Sequence, residues 1–100
     1  MKTGIELIAE ERQRQIEKEG WTKEHDAQHI DNELAVAAAS YAMPEGARTF
    51  MKTQDGNYLP IFWRFEAKWW KPCPQDRVRE LIKAGALIAA EIDRIQNEQC

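Results

Sequence analysis

The chain of 100 residues has only two cysteines, Cys73 and Cys100, with no CxxC spacing and no histidines at zinc-binding intervals. Both read as free thiols, which excludes a structural zinc; only Lys71 stands close enough to lower a thiol pKa, too little for a catalytic cysteine. Long apolar runs are also missing. Nothing approaches the roughly 20 residues needed to cross a bilayer, and Met1-Lys2-Thr3-Gly4 starts no signal-peptide core, so a cytoplasmic protein is expected. There is no excess of positive charge. A net charge of -3 argues against coating extended nucleic acid, which needs a basic face or stripe, so any anion site must be local. The chain has no Gly-rich phosphate loop, no Gly-x-Ser-x-Gly elbow and no Ser-His-Asp set for acyl transfer.

What is present is concentrated. Trp63-Arg64-Phe65-Glu66-Ala67-Lys68-Trp69-Trp70-Lys71-Pro72 packs three tryptophans and three cations just ahead of a long helical pattern. Arg77, Arg79 and Lys83 follow in its first turns, where the macrodipole disfavours cations and something anionic nearby is required. A ring offers a stacking platform for a base, and arginines hold phosphate bidentately. Lys68, Trp69, Trp70, Lys71, Arg77, Arg79 and Lys83 therefore suit a nucleotide or another phosphorylated ligand. The competing reading is an anchor, in which Trp69 and Trp70 pin the loop and the cations pair with Glu66, Asp76 and Glu80.

Periodicity predicts three helices in a single domain spanning residues 1–100. The first runs from about Thr3 to Glu19, with Thr3 and Glu6 as a capping box and Gly20 as the stop. Its stripe of Ile5, Ile8, Ala9 and Ile16 is interrupted by Arg12, which is expected to point inward and pair with Glu33 or Asp26. On its charged face a pair such as Glu10 with Arg14 is expected. The second, Glu33–Met43, is capped by Asp31 or Asn32, stopped by Pro44, and apolar nearly all round, which implies an interior helix. The third, from Pro74 or Asp76 to Gln96, carries Val78, Leu81, Ile82, Gly85, Ile88, Ala89, Ile92 and Ile95 as one long stripe expected to be buried. Gly85 is expected to mark a close crossing with the alanine-rich second helix. Between the second and third, Asp55-Gly56 signals a two-residue turn, so residues 47–62 form either a small hairpin, with Pro60 limiting its second arm, or an ordered loop. The expected fold is all-α, a three-helix core with an aromatic loop or small β-hairpin inserted between helices two and three. A core this small, much of it alanine, suggests a homo-oligomer, most simply a two-fold dimer.

Asp26, His29 and Glu33 stack at intervals of three and four if helix begins near His25, and all three then face one point as a candidate metal site. The plainer alternative makes Asp26 a turn cap, packs His29 beside Trp21 and lets Glu33 cap the helix or pair with Arg12.

The set Glu11-Arg12-Gln13-Arg14-Gln15-Ile16, Gly20-Trp21-Thr22, Glu24-His25-Asp26, His29, Glu33-Leu34-Ala35, Tyr41-Ala42, Trp69-Trp70-Lys71-Pro72, Asp76-Arg77 and Lys83-Ala84-Gly85-Ala86-Leu87-Ile88 resembles a family of small bacteriophage and prophage proteins, and covers most of the chain. That resemblance implies no established activity. More remotely, the charged first helix, the Glu-Leu-Ala second helix and the Lys-Ala-Gly-Ala third helix are similar to all-alpha MazG-type NTP pyrophosphohydrolases. The family holds magnesium with Glu-x-x-Glu and Glu-x-x-Asp pairs; here Val36 follows Glu33 at the third step and no Glu-x-x-Glu exists. Three readings follow. One is a phage-type accessory protein binding a nucleotide or similar phosphorylated molecule through Arg12, Glu33, Trp69, Trp70, Lys71, Arg77, Arg79 and Lys83. A second is a divergent pyrophosphohydrolase with magnesium on Glu10, Asp26 and Glu33. The third is an interaction module whose Trp63–Trp70 segment meets a host protein.

Overall fold

The fold is taken from a computed structural model that describes residues 1–20 and 32–98. It contains helix α1 (Gly4–Glu19), helix α2 (Glu33–Ala42), strands β1 (Phe50–Lys52) and β2 (Tyr58–Pro60), and helix α3 (Arg77–Glu98), with short 3-10 turns at Glu45–Ala47 and Ala67–Trp69. The expected three-helix core is present among the described residues, and the insertion is a hairpin. No helix among them is long and apolar enough to cross a membrane.

α1 begins as its sequence predicts. The Thr3 hydroxyl accepts the Glu6 N–H while Glu6 accepts the Thr3 N–H, closing a capping box, and Gly20 ends the helix at φ 73°. Its inner face differs from the expected one. Ile5 is 82% exposed, whereas Glu11 and Gln15 are buried. The expected Glu10–Arg14 pair is absent too: Glu10 pairs with Lys2 at 2.6 Å and Arg14 with Glu11 at 2.8 Å. A polar inner face is stable here because Glu11 finds cationic partners there.

α2 starts after Asn32, which holds φ 68° and gives no side-chain cap. Leu34, Ala37, Ala38, Ser40 and Tyr41 are buried against α3, but Ala35 and Ala39 are exposed, so this helix is not interior on every side. In the hairpin, Phe50 pairs with Pro60, Met51 with Leu59 and Lys52 with Tyr58. That register leaves the five residues 53–57 in the connection, not the two the Asp55-Gly56 signal suggests. Thr53 Oγ1 bonds Asp55 and accepts the Asn57 N–H, and Gly56 supplies the left-handed residue at φ 88°.

The largest departure lies in α3. Its buried residues are Glu80, Ala84, Ala86, Leu87, Ala90, Glu91 and Arg94, while Val78, Leu81, Ile88, Ile92 and Ile95 are exposed. The isoleucine stripe therefore faces outward. Alanines on the inner side let the neighbouring backbones approach, and the charged side chains buried there are paired. Gly85 does mark a close crossing, but with α1: a Cβ built on it would stand 2.5 Å from Ile8 Cδ1.

Under the helices, Trp63, Phe65, Trp69 and Trp70 pack against the core residues Leu34, Tyr41 and Leu87. Trp70 sits 4.8 Å from Tyr41 and 5.3 Å from Trp63 between ring centroids, with the Arg48 guanidinium 5.2 Å from its ring. The anchor reading is met in its rings, which form one cluster, and in part in its cations: Lys68 pairs with Glu66 at 3.9 Å and Arg77 with Glu80 at 3.2 Å, while Lys71 and Arg79 pair with Glu19 and Glu11.

Candidate functional site

A cleft of about 210 Å³ lies where α1, α3 and the end of the aromatic segment meet, lined by Glu11, Arg14, Gln15, Glu19, Tyr41, Trp69, Lys71, Arg79, Lys83 and Leu87. α1 supplies a row of polar side chains at steps of four, Glu11, Gln15 and Glu19, which a helix stacks on one face. α3 supplies Arg79 and Lys83 at the same step from the opposite wall. The Ala67–Trp69 turn adds Trp69 and the loop after it adds Lys71.

Glu11 is the organiser of this wall. Its carboxylate, with a side chain 1% exposed, accepts Arg14 Nε and Nη2 in bidentate fashion at 2.8 Å each and receives Arg79 Nη2 at 2.7 Å. Gln15 Nε2 donates to it at 3.3 Å. Burial alone would raise the Glu11 carboxyl, but the hydrogen bond from Arg14 and the Arg79 charge outweigh it and hold the group below the usual carboxylate range. Glu19 is shared between Arg14 at 3.2 Å and Lys71 at 3.6 Å.

The other side is built on Tyr41. Its hydroxyl accepts the Lys71 N–H at 2.8 Å and donates to the Trp69 carbonyl at 3.0 Å, so α2 fixes the backbone that carries both site residues. Burial pushes this phenol up to about 12. Lys83 Nζ donates to the Lys71 carbonyl at 2.7 Å, lies 3.6 Å from Cys73 Sγ and stands 5.4 Å from the Tyr41 ring. Lys68 and Lys71 place their ammonium groups 5.3 and 5.4 Å from the Trp69 ring.

Two features of the cleft go beyond mutual neutralisation. Among the described residues, Arg14, Lys71, Arg79 and Lys83 face two lining carboxylates, Glu11 and Glu19, a surplus of two positive charges on a chain whose net charge is -3. Gln15 is 2% exposed, yet its Oε1 is buried without a hydrogen-bond partner among the described residues. The donation from Nε2 to Glu11 fixes which end of the amide is the oxygen, because the reverse orientation would set oxygen against carboxylate.

Of the residues singled out in the sequence, Trp69, Lys71, Arg79 and Lys83 come together in this cleft. Trp70 lies in the aromatic cluster. Arg77 turns away to the C-terminal end of α2, bonding the carbonyls of Tyr41 at 3.0 Å, of Met43 at 3.2 Å and of Ala42. A cation at the start of α3 is thus accounted for by the negative end of another helix. Arg12 and Glu33 are half-buried, both are partnered, and neither lines the cleft. Asp26 and His29 lie outside the described residues, and among those described no group of three metal-capable side chains occurs. The sequence reads Glu11, Arg14 and Glu19 as part of a solvent-facing charged side of α1 and does not single out Gln15, whereas Glu11 and Gln15 are buried and all four line the cleft; the four-residue spacing of Glu11, Gln15 and Glu19 beside Arg14 is the available signal. Compared with family models, with curated proteins and with solved structures, the chain matches none.

Proposed function

We propose that this protein is a binder of a small phosphorylated molecule, a nucleotide or a relative of one, held in the cleft between α1 and α3. The observation that carries the reading is the local surplus of cations over carboxylates on an otherwise acidic chain. Arg14 and Arg79 are held in place by Glu11, so their guanidinium groups are already ordered before an anion arrives. Lys71, 57% exposed, is a further charge at the mouth. Trp69 adds a ring on which a planar group can stack.

Size narrows the reading. At about 210 Å³ the cleft is below the roughly 300–1,000 Å³ of sites that enclose a whole drug-sized ligand, so it takes the phosphate and an adjoining group, with the remainder outside. Two alternatives have less support. The interaction-module reading needs projecting tryptophans, and Trp63, Trp69 and Trp70 are instead half-buried against the core. The pyrophosphohydrolase reading, with magnesium on Glu10, Asp26 and Glu33, has its Glu10 paired with Lys2 on the surface. The phage-type role stays with the resemblance alone.

A thermal-shift screen of nucleotides, sugar phosphates and inorganic phosphate, with and without magnesium, tests the proposal, since a ligand of the folded state raises the melting temperature by mass action. The expected result is a shift by at least one phosphorylated compound that shrinks as salt rises. A flat response to every phosphorylated compound overturns it, and magnesium-dependent release of pyrophosphate replaces it with the enzymatic reading.

A further inference from the structure

The outer side of α3 carries Val78, Leu81, Gly85, Ile88, Ile92 and Ile95, at successive steps of three, four, three, four and three residues. This is the spacing by which a helix presents a seam to another helix. Within one chain the seam is uncovered: Val78 is 60% exposed, Leu81 46%, Ile88 and Ile92 49% each, and Ile95 39%. The gap at Gly85 is filled from α1 by Ile8, so the ridge continues without a break. α1 runs antiparallel to α3, since Ile8 meets Gly85 and Glu11 meets Arg79. Ile5, 82% exposed, therefore extends the apolar ground toward the Ile92 end.

Beside the ridge lies a groove of about 250 Å³ between α2 and α3, lined chiefly by Ala35, Ala38, Ala39, Ala42, Ile88 and Ile92. Small side chains on one wall and large ones along the ridge put a protruding and a receiving surface next to each other on the same molecule. A two-fold axis presents the same patch on both subunits, so a patch with both parts is self-complementary.

We propose that this face binds a second copy of the chain, with the two α3 helices antiparallel across a two-fold axis near residues 86 and 87. Val78 then lies opposite the partner's Ile95, Leu81 opposite the partner's Ile92, and Ile88 opposite the partner's Gly85 position. The antiparallel sense opposes the two helix dipoles, which a parallel pair would align. The area approaches what a dimer needs: the 18 residues Val78–Ile95 span about 27 Å at 1.5 Å per residue, and with α2 alongside the face is about 20 Å wide, on the order of 500 Å² in projection. Side-chain relief and the flank at Ile5 bring the hidden area toward the roughly 800 Å² per partner of a standard interface.

The inference is tested by sedimentation and light scattering on the full chain at tens of micromolar. The expected mass is twice the 11.6 kDa of one chain. The double variant Ile88→Glu, Ile92→Glu is expected to weaken self-association by about 100-fold or more, because burying unpaired carboxylates in an apolar seam is costly. Both side chains are half-exposed in the single chain, so the helical circular dichroism of the variant should match the wild type. The wild type supplies an independent readout: its melting temperature is expected to rise with protein concentration. A monomeric wild type with a concentration-independent melting temperature overturns the proposal, even if another protein captures the face. A dimer that survives the double substitution overturns it as well.

Discussion

Arg48 Nη2 and Glu80 Oε1 form an ion pair at 3.0 Å in which the two side chains are 2% and 1% exposed. Arg48 arrives from the loop after α2 and also donates to the Ser40 carbonyl at 2.9 Å. Glu80, on the first turn of α3, accepts the Cys73 N–H at 3.0 Å and Arg77 Nη1 at 3.2 Å. One carboxylate thus joins α2's exit, the aromatic segment and α3. Removing only one partner leaves a buried charge, so Glu80→Leu is expected to cost about 3–5 kcal/mol, and Arg48→Met a similar amount. Urea unfolding of the double variant is expected to recover much of that loss, showing strong coupling between the sites.

Acid should unfold the protein through these same carboxylates. At Glu80 burial raises the pKa, and the Arg48 hydrogen bond and the Cys73 N–H more than reverse it; Glu11 is lowered likewise by Arg14 and Arg79. A depressed pKa contributes stability that is fully present above the ordinary value of 4.5 and is lost as the pH falls through the folded-state value. Urea midpoints between pH 7 and pH 3 are expected to hold level and then drop steeply below about 4.5. A level profile down to pH 3 would show that neither carboxylate is held in this way.

Alkali acts through Tyr41. With the phenol moved from 10.0 to about 12 by burial, stability is full below pH 10 and is lost as the pH rises toward 12. Two units correspond to about 2–3 kcal/mol. Tyr41→Phe is expected to remove this alkaline step while costing about 1–2 kcal/mol at neutral pH, because the Lys71 N–H and Trp69 carbonyl lose their partner. Absorbance titration of the tyrosines, with the variant as reference, checks it.

Gly85→Ala gains about 1 kcal/mol of helix propensity but drives a Cβ into Ile8, whose Cδ1, Cγ1 and Cγ2 would lie 2.5, 2.7 and 3.3 Å away. With three atoms of the same side chain involved, rotation alone does not clear the space, and a net loss of about 1–2 kcal/mol is expected. Adding Ile8→Ala should restore most of it in thermal unfolding. Glycine elsewhere in the helices has no such neighbour.

Much of the fold was legible. The Thr3–Glu6 box, Gly20, Pro44 and the three- and four-residue steps of α3 are local signals, and each marks the element it predicts. Faces were harder. The stripe from Val78 to Ile95 reads as core in the sequence because apolar periodicity identifies a helix that hides its stripe somewhere, not whether the hiding place is its own chain. α1 differs in the opposite sense: its charged side reads as surface, yet Glu11 and Gln15 point inward, where Arg79, distant in sequence, meets Glu11. Of the site, Lys71, Arg79, Lys83 and Trp69 stand out by composition, while Arg14 reads as charged helix surface. Glu11, Gln15 and Tyr41 did not, since their roles depend on partners brought together only by packing.

The claim that the cleft is an anion site is tested most directly by titrating a nucleoside phosphate and its unphosphorylated nucleoside into the wild type and into Lys71→Met, following tryptophan fluorescence with Trp69→Phe as the control for signal origin. Lys71 is 57% exposed at the mouth, so its replacement leaves the fold intact. The account predicts that the wild type binds the phosphate form only, that Lys71→Met weakens it by about 10- to 100-fold, the worth of one hydrogen bond to a charged group, and that the difference narrows with salt. Equal affinity for the nucleoside, or a Lys71→Met variant that binds as the wild type does, would contradict it.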